Sequence, residues 1–182
     1  MRKLFSLTTV ASGAAIGMIV AGVLALIGGA YDHKVVHDQL SPQKIFFPQK
    51  GKELPANLNQ YAGQQVDTAA EAKAYADHFI ALHLKEIGAG KTYSQVSAAY
   101  LQDPTNAKLA QTRQTLFMGE TLRGLLLSAW GWGTIGTIAT IAGIALIGIG
   151  VVLLAIPALA AIAARRREPA SSPQSVRPTP AY

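Results

Sequence analysis

The chain of 182 residues contains no cysteine. Disulfides, cysteine-ligated zinc, iron–sulfur clusters, thiol catalysis and lipid attachment at a cysteine are thereby excluded. Charge is missing from long stretches: none falls between Thr134 and Ala164. Ion and proton paths need ionisable or strongly polar groups, so none is expected through that stretch. Two motifs of chemistry are also lacking. There is no Gly-x-Ser-x-Gly nucleophile elbow. Gly88-Ala89-Gly90-Lys91-Thr92 ends in Gly-Lys-Thr, but Lys85 stands five residues before Gly90, where a phosphate-binding loop needs glycine. That segment reads as a helix stop and turn. No internal repeat is evident.

What the chain does have is two long apolar runs, one near each end. The first follows Met1-Arg2-Lys3, and the second is followed by Arg165-Arg166-Arg167. About 20 apolar residues cross a hydrocarbon core as a helix, and clusters of Lys and Arg stay on the cytoplasmic side. The expected fold is an all-α membrane protein, with two transmembrane helices flanking a small helical extracytoplasmic domain. The boundaries read as a cytoplasmic N-terminus at 1–6, transmembrane helix 1 at 7–30 and an extracytoplasmic domain at 31–124. A membrane-entering and transmembrane helix 2 follows at 125–164, then a disordered cytoplasmic tail at 165–182. The expected location is the inner (plasma) membrane, with both termini cytoplasmic. Gly28-Gly29-Ala30 offers small residues at a plausible signal-cleavage position. The run before it exceeds the 7–15 residues of a signal-peptide core, so an uncleaved anchor is expected.

The net charge of +6 is a topology signal. Residues 31–124 carry 10 Lys/Arg and 9 Asp/Glu, which leaves +2 before them and +3 after them. A near-neutral domain gives no reason to expect nucleic acid as a partner. The basic ends would meet anionic membrane lipid instead.

Local signals divide the middle of the chain. From Tyr31 to Asn59 the prolines 42, 48 and 55 predict irregular structure, with Tyr31–Gln39 available to extend the first helix. Ile45-Phe46-Phe47 is an apolar knot that docks into a core or the interface, or forms a short edge strand. Thr68-Ala69-Ala70-Glu71 is a capping box opening a helix that runs to Ile87, with Gly88 as its stop. A shorter helix is expected after Ser94. Asp103-Pro104 predicts a third helix, with Asp as N-cap and Pro at its first position. Nothing breaks that helix before the second apolar run, which leaves one long helix or a bend near Gly131 and Gly133. Trp130 and Trp132 suit an interfacial belt. From Trp132 to Arg165 a helix would span roughly 50 Å, more than the ~40–45 Å of a bilayer with headgroups, which fits tilt or a kink near Pro157.

Candidate sites are sparse. Gly13, Gly17 and Ala21 are spaced four apart in the first run. Small residues at that spacing let helix backbones approach, against the second helix or another copy. His33 and His37 would share a helical face, and with Asp32 and Asp38 nearby they are the one place where a metal is conceivable. Lys34 opposes a cation there, and the plain reading is a solvated collar above the membrane. His78 and His83 diverge around a helix, and Asp77 and His78 are adjacent and cannot face one another. No catalytic, cofactor or metal residues are assigned. Glu120 and Arg123, preceded by Arg113, read as a solvated pair whose charges are the most exposed to partial desolvation.

Residues 39–48 (Gln-Leu-Ser-Pro-Gln-Lys-Ile-Phe-Phe-Pro), residues 61–66 (Tyr-Ala-Gly-Gln-Gln-Val) and the segment from Phe117 to Gly124 resemble a family of uncharacterised two-pass membrane proteins of actinobacteria. The resemblance implies two membrane spans around an exported domain. Some members carry the label of aromatic ring-opening dioxygenase. Such chemistry needs converging His and carboxylate ligands for iron, and this chain does not supply them. No site residue is carried over from the family.

The expected role is non-catalytic: an accessory, scaffold or assembly subunit of a larger membrane complex, with membrane lipid and a membrane protein as partners, or self-association through Gly13, Gly17 and Ala21. Two alternatives are a homo-oligomeric pore or transporter-like assembly, with Thr134, Thr137 and Thr140 as its polar stripe, and a metal-binding or enzymatic domain using His33 and His37.

Overall fold

The structure, a computed structural model, describes residues 2–51 and 53–167. Of the tail expected to be disordered from 165 to 182, residues 165–167 continue the last helix, and residues 168–182 lie outside the described residues. Among those described there is no strand, and the only pairing of that kind is an isolated antiparallel bridge between Phe46 and Gln65. The chain is all-helical. Two helices dominate it: α1, Arg2–Leu40, and α5, Ala107–Arg167. Both are long and apolar enough to cross a membrane. Leu40 closes α1, and a short 3-10 turn at Ser41–Gln43 follows with Pro42 in its first turn. Residues 31–40 are therefore helical, and irregular structure begins only at the proline. α5 runs uninterrupted through Gly131, Gly133 and Pro157.

Between them, α2 (Ala69–Ala74), a π-helical turn (Tyr75–Ile80) and α3 (Ala81–Ile87) follow one another without a break. The capping box is formed: the Thr68 hydroxyl accepts from Glu71 N–H at 3.3 Å, and Thr68 N–H donates to the Glu71 carboxylate at 2.9 Å. Gly88 caps α3 with an ordinary right-handed backbone, and the left-handed residues are Ala89 and Gly90. Glycine is needed at 88 for space, because a Cβ there would strike the Lys91 carbonyl oxygen. α4, Tyr93–Gln102, opens on a second capping box, between Thr92 and Gln95.

Asp103 is not the N-cap of the last helix. It caps the end of α4 and holds the following turn, accepting from the Thr105 hydroxyl at 3.0 Å and the Asn106 amide at 3.1 Å. Asn106 takes the capping role, its Oδ1 accepting from Leu109 N–H at 3.1 Å. An Asp–Pro pair suits a turn as well as a helix start, and here an equally good Asn cap lies just downstream.

The chain divides into two compact units, Val23–Ile144 and Met1–Gly22 with Ala145–Tyr182. In the first, α1 and α5 are antiparallel. Gly29 lies against Gly136 and Thr140, and Val36 lies near Gly133. The core collects Val36, Leu40, Phe47, Leu58, Val66, Ile80, Leu84, Val96, Leu116 and Leu126. Phe47 comes from the apolar knot, which docks in this core. Its N–H donates to Gln64 O at 2.9 Å, and Val66 N–H donates to Ile45 O at 2.8 Å. Phe47 stacks on Tyr61 and meets Tyr75 edge-on, each at 5.0 Å between ring centroids. Tyr75, Phe79 and His83 then form a continuous row down the π-helical turn and into α3, at 4.7 and 4.3 Å. Burial among these rings raises the Tyr75 hydroxyl above the usual tyrosine range. In the second unit, α1 meets α5 where a Cβ on Gly150 would stand 2.8 Å from Ala15 O.

Candidate functional site

Among the described residues of α1, Ala15, Gly22, Gly29 and Val36 are buried at intervals of seven, and Leu40 is buried one turn further on. On α5, Gly136, Gly143 and Gly150 are buried at the same spacing. A seven-residue period keeps one stripe of a helix facing one side over many turns. Glycine and alanine there let the backbones come close. The four-apart positions Gly13 and Gly17 are not on this stripe: a Cβ at either would meet nothing within 4 Å, and Ala21 is exposed. The second helix therefore does not use the face that the four-residue spacing marks. Both patterns stand in the sequence, and the seven-residue one is what the fold uses.

Beside the α1–α5 seam lies a groove of about 560 Å³, formed by the last turns of α1, the segment to Ile45 and α5 from Leu122 to Trp132. Leu122, Leu125 and Trp132 present apolar surface to it, with Tyr31 opposite. Among the described residues, Asp32 is the only charged one lining it.

The histidine pair does not converge. His33 Nε2 lies 3.5 Å from the Thr137 hydroxyl, whereas His37 Nδ1 is 3.8 Å from an Asp67 carboxylate oxygen. Asp38 is engaged with Lys34 one turn back. Among the described residues no three His, Asp or Glu gather as a metal would need. Thr134, Thr137 and Thr140 each donate to the carbonyl four residues before, at 2.8, 2.9 and 2.9 Å. Their hydroxyls are satisfied within the helix that carries them.

The charges at 120 and 123 belong to a larger cluster. Arg123 reaches Glu120 at 3.4 Å and, across 46 residues, Asp77 at 3.3 Å. Asp77 also accepts from Lys73 at 2.7 Å. The hydrogen bond from Lys73, with Arg123 beside it, holds the Asp77 carboxyl below its usual range against the opposing effect of partial burial. The Lys73 ammonium in turn lies 4.3 Å from the Trp130 ring centroid. The cluster thus ties the α2–π–α3 stretch to α5. No nucleophile is paired with a base in it, so it fits a clamp. Comparison with protein-family models, curated proteins and solved structures finds no match.

Proposed function

We propose that the chain is a two-pass membrane protein with both termini cytoplasmic and a helical domain on the outer side. Within the membrane it serves as a non-catalytic accessory, scaffold or assembly subunit of a larger complex. Support for insertion comes from the aliphatic side chains left exposed on the two long helices, among them Val10, Val20, Leu24 and Ile27 on α1 and Ile135, Ile138, Ile141, Ile156 and Leu159 on α5. Burying one such side chain is worth roughly 1.5–3 kcal/mol. Left in water, the set forfeits an amount comparable to the ~5–15 kcal/mol of net stability that a domain commands. Lipid removes that cost.

The observation that carries the partner reading is the open small-residue face of α1. Gly13, Gly17 and Gly28 have nothing within 4 Å of a Cβ, whereas Gly29 and Gly150 are tightly covered. One small-residue stripe serves the chain's own helix pair, and the other is left for a neighbour. Purification in mild detergent, with sizing and mass spectrometry, tests this. Stoichiometric membrane proteins that are lost from a Gly17→Leu variant of unchanged helicity support the reading. A lone chain, or companions indifferent to Gly17→Leu, opposes it.

A further inference from the structure

We propose that the groove beside the α1–α5 seam holds an acyl chain of a membrane lipid whose headgroup carries an amine. Its walls are apolar and wide open to the outside, with Leu125, Trp132 and Tyr31 each at least 60 % exposed. Such a concave apolar surface with a few polar groups at its margin is the usual form of a small-molecule site.

Two features select the occupant. The first is continuity. The end of the groove at Tyr31, Asp32 and Trp132 adjoins the exposed aliphatic belt that begins at Ile27 on α1 and Ile135 on α5. An acyl chain passes from that belt into the groove without crossing water. The second is charge. Asp32 stands at this end, and no described cation lies within ion-pair distance of it, whereas Asp38 and Asp77 each have a Lys or Arg partner. A carboxylate beside an apolar channel favours a primary ammonium and disfavours an anionic head. Gln39 and Gln43 line the opposite end. The inference rests on the membrane placement above and not on the partner reading. It is tested on the isolated chain, so the two fail separately.

The test uses full-length protein in detergent micelles with Trp130→Phe, which leaves Trp132 as the sole indole. Phosphatidylethanolamine and phosphatidylglycerol with identical brominated chains are titrated in, and quenching of Trp132 is followed. The expected result is saturable quenching, with half-saturation about fivefold lower for the ethanolamine lipid, as one exposed ion pair of ~1 kcal/mol gives. Asp32→Asn removes the preference, weakening binding of the ethanolamine lipid and tightening that of the glycerol lipid. Leu125→Lys, which sets a cation in the channel, reverses the preference. Quenching that rises without saturation, or a preference that survives Asp32→Asn, overturns the proposal.

Discussion

A Cβ on Gly29 would stand 2.6 Å from the carbonyl oxygen of Gly136, inside any permissible contact. The same holds in reverse, since a Cβ on Gly136 would stand 2.9 Å from Asp32 Cβ and 3.1 Å from Gly29 O. Neither obstacle is the yielding tip of a long side chain, so the two helices must separate if either glycine grows. Overpacking of this kind costs about 1–3 kcal/mol. Gly29→Leu and Gly136→Leu are expected to lower stability by that amount in a detergent-denaturation titration, while Gly17→Leu leaves the isolated chain unchanged. Equal effects at all three positions would remove the distinction between the used and unused faces.

Asp77 is set against two cations, Lys73 at 2.7 Å and Arg123 at 3.3 Å. Its carboxyl is lowered from the ordinary value, so the folded state holds the charged form more firmly than the unfolded chain does. That contribution is present above the unfolded carboxylate range, near pH 4, and is lost as pH falls through the lower folded value. Asp77 is partly exposed, and an exposed pair is worth about 0.2–1 kcal/mol. Asp77→Asn is therefore expected to be less stable than the parent by no more than about 1 kcal/mol at pH 7. The gap closes below pH 4. A difference that stays constant from pH 7 to pH 3 would show that charge is not its source.

Thr68 and Glu71 exchange both bonds of the capping box that opens α2. Loss of an N-cap hydroxyl costs about 1 kcal/mol. Thr68→Ala should lower the stability of the helical domain by about that amount, and Thr68→Ser should restore most of it, read by thermal unfolding of the two proteins. A serine that rescues nothing would place the effect in the threonine methyl and not in the cap.

The parts legible in the sequence are those set by neighbours a few residues apart. The apolar runs and the Thr68–Glu71 box rest on spacing and hydropathy that no distant contact alters, whereas the Ile45-Phe46-Phe47 knot left core, interface and edge strand open, and Phe47 is placed by Gln64, Tyr61 and Tyr75. The Thr92–Gln95 box carries the same signal and caps its helix at Thr92, two residues before the Ser94 after which a helix is expected, and the Asp103–Pro104 pair carries a signal that two kinds of turn share. Other features need the third dimension. Asp77 and Arg123 are 46 residues apart, and nothing local foretells their meeting. The π-turn at Tyr75–Ile80 rests on a changed hydrogen-bond register, which has no composition of its own. The seam is an intermediate case. Glycines seven apart, at 22 and 29 on α1 and at 136, 143 and 150 on α5, are visible once both helices are compared, yet the four-apart set at Gly13, Gly17 and Ala21 competes with them on α1. Only the helix pairing decides between them.

The central claim is that α1 and α5 cross a membrane, with the chain between them outside and both ends within. The absence of native cysteine makes a direct measurement simple. Single variants Lys91→Cys, in the turn between α3 and α4, and Ser172→Cys, in the tail, are treated in intact cells with a membrane-impermeant maleimide. The account predicts labelling of the Lys91→Cys protein in intact cells and of the Ser172→Cys protein only after lysis. Labelling of both in intact cells, of neither, or in the opposite order would contradict it.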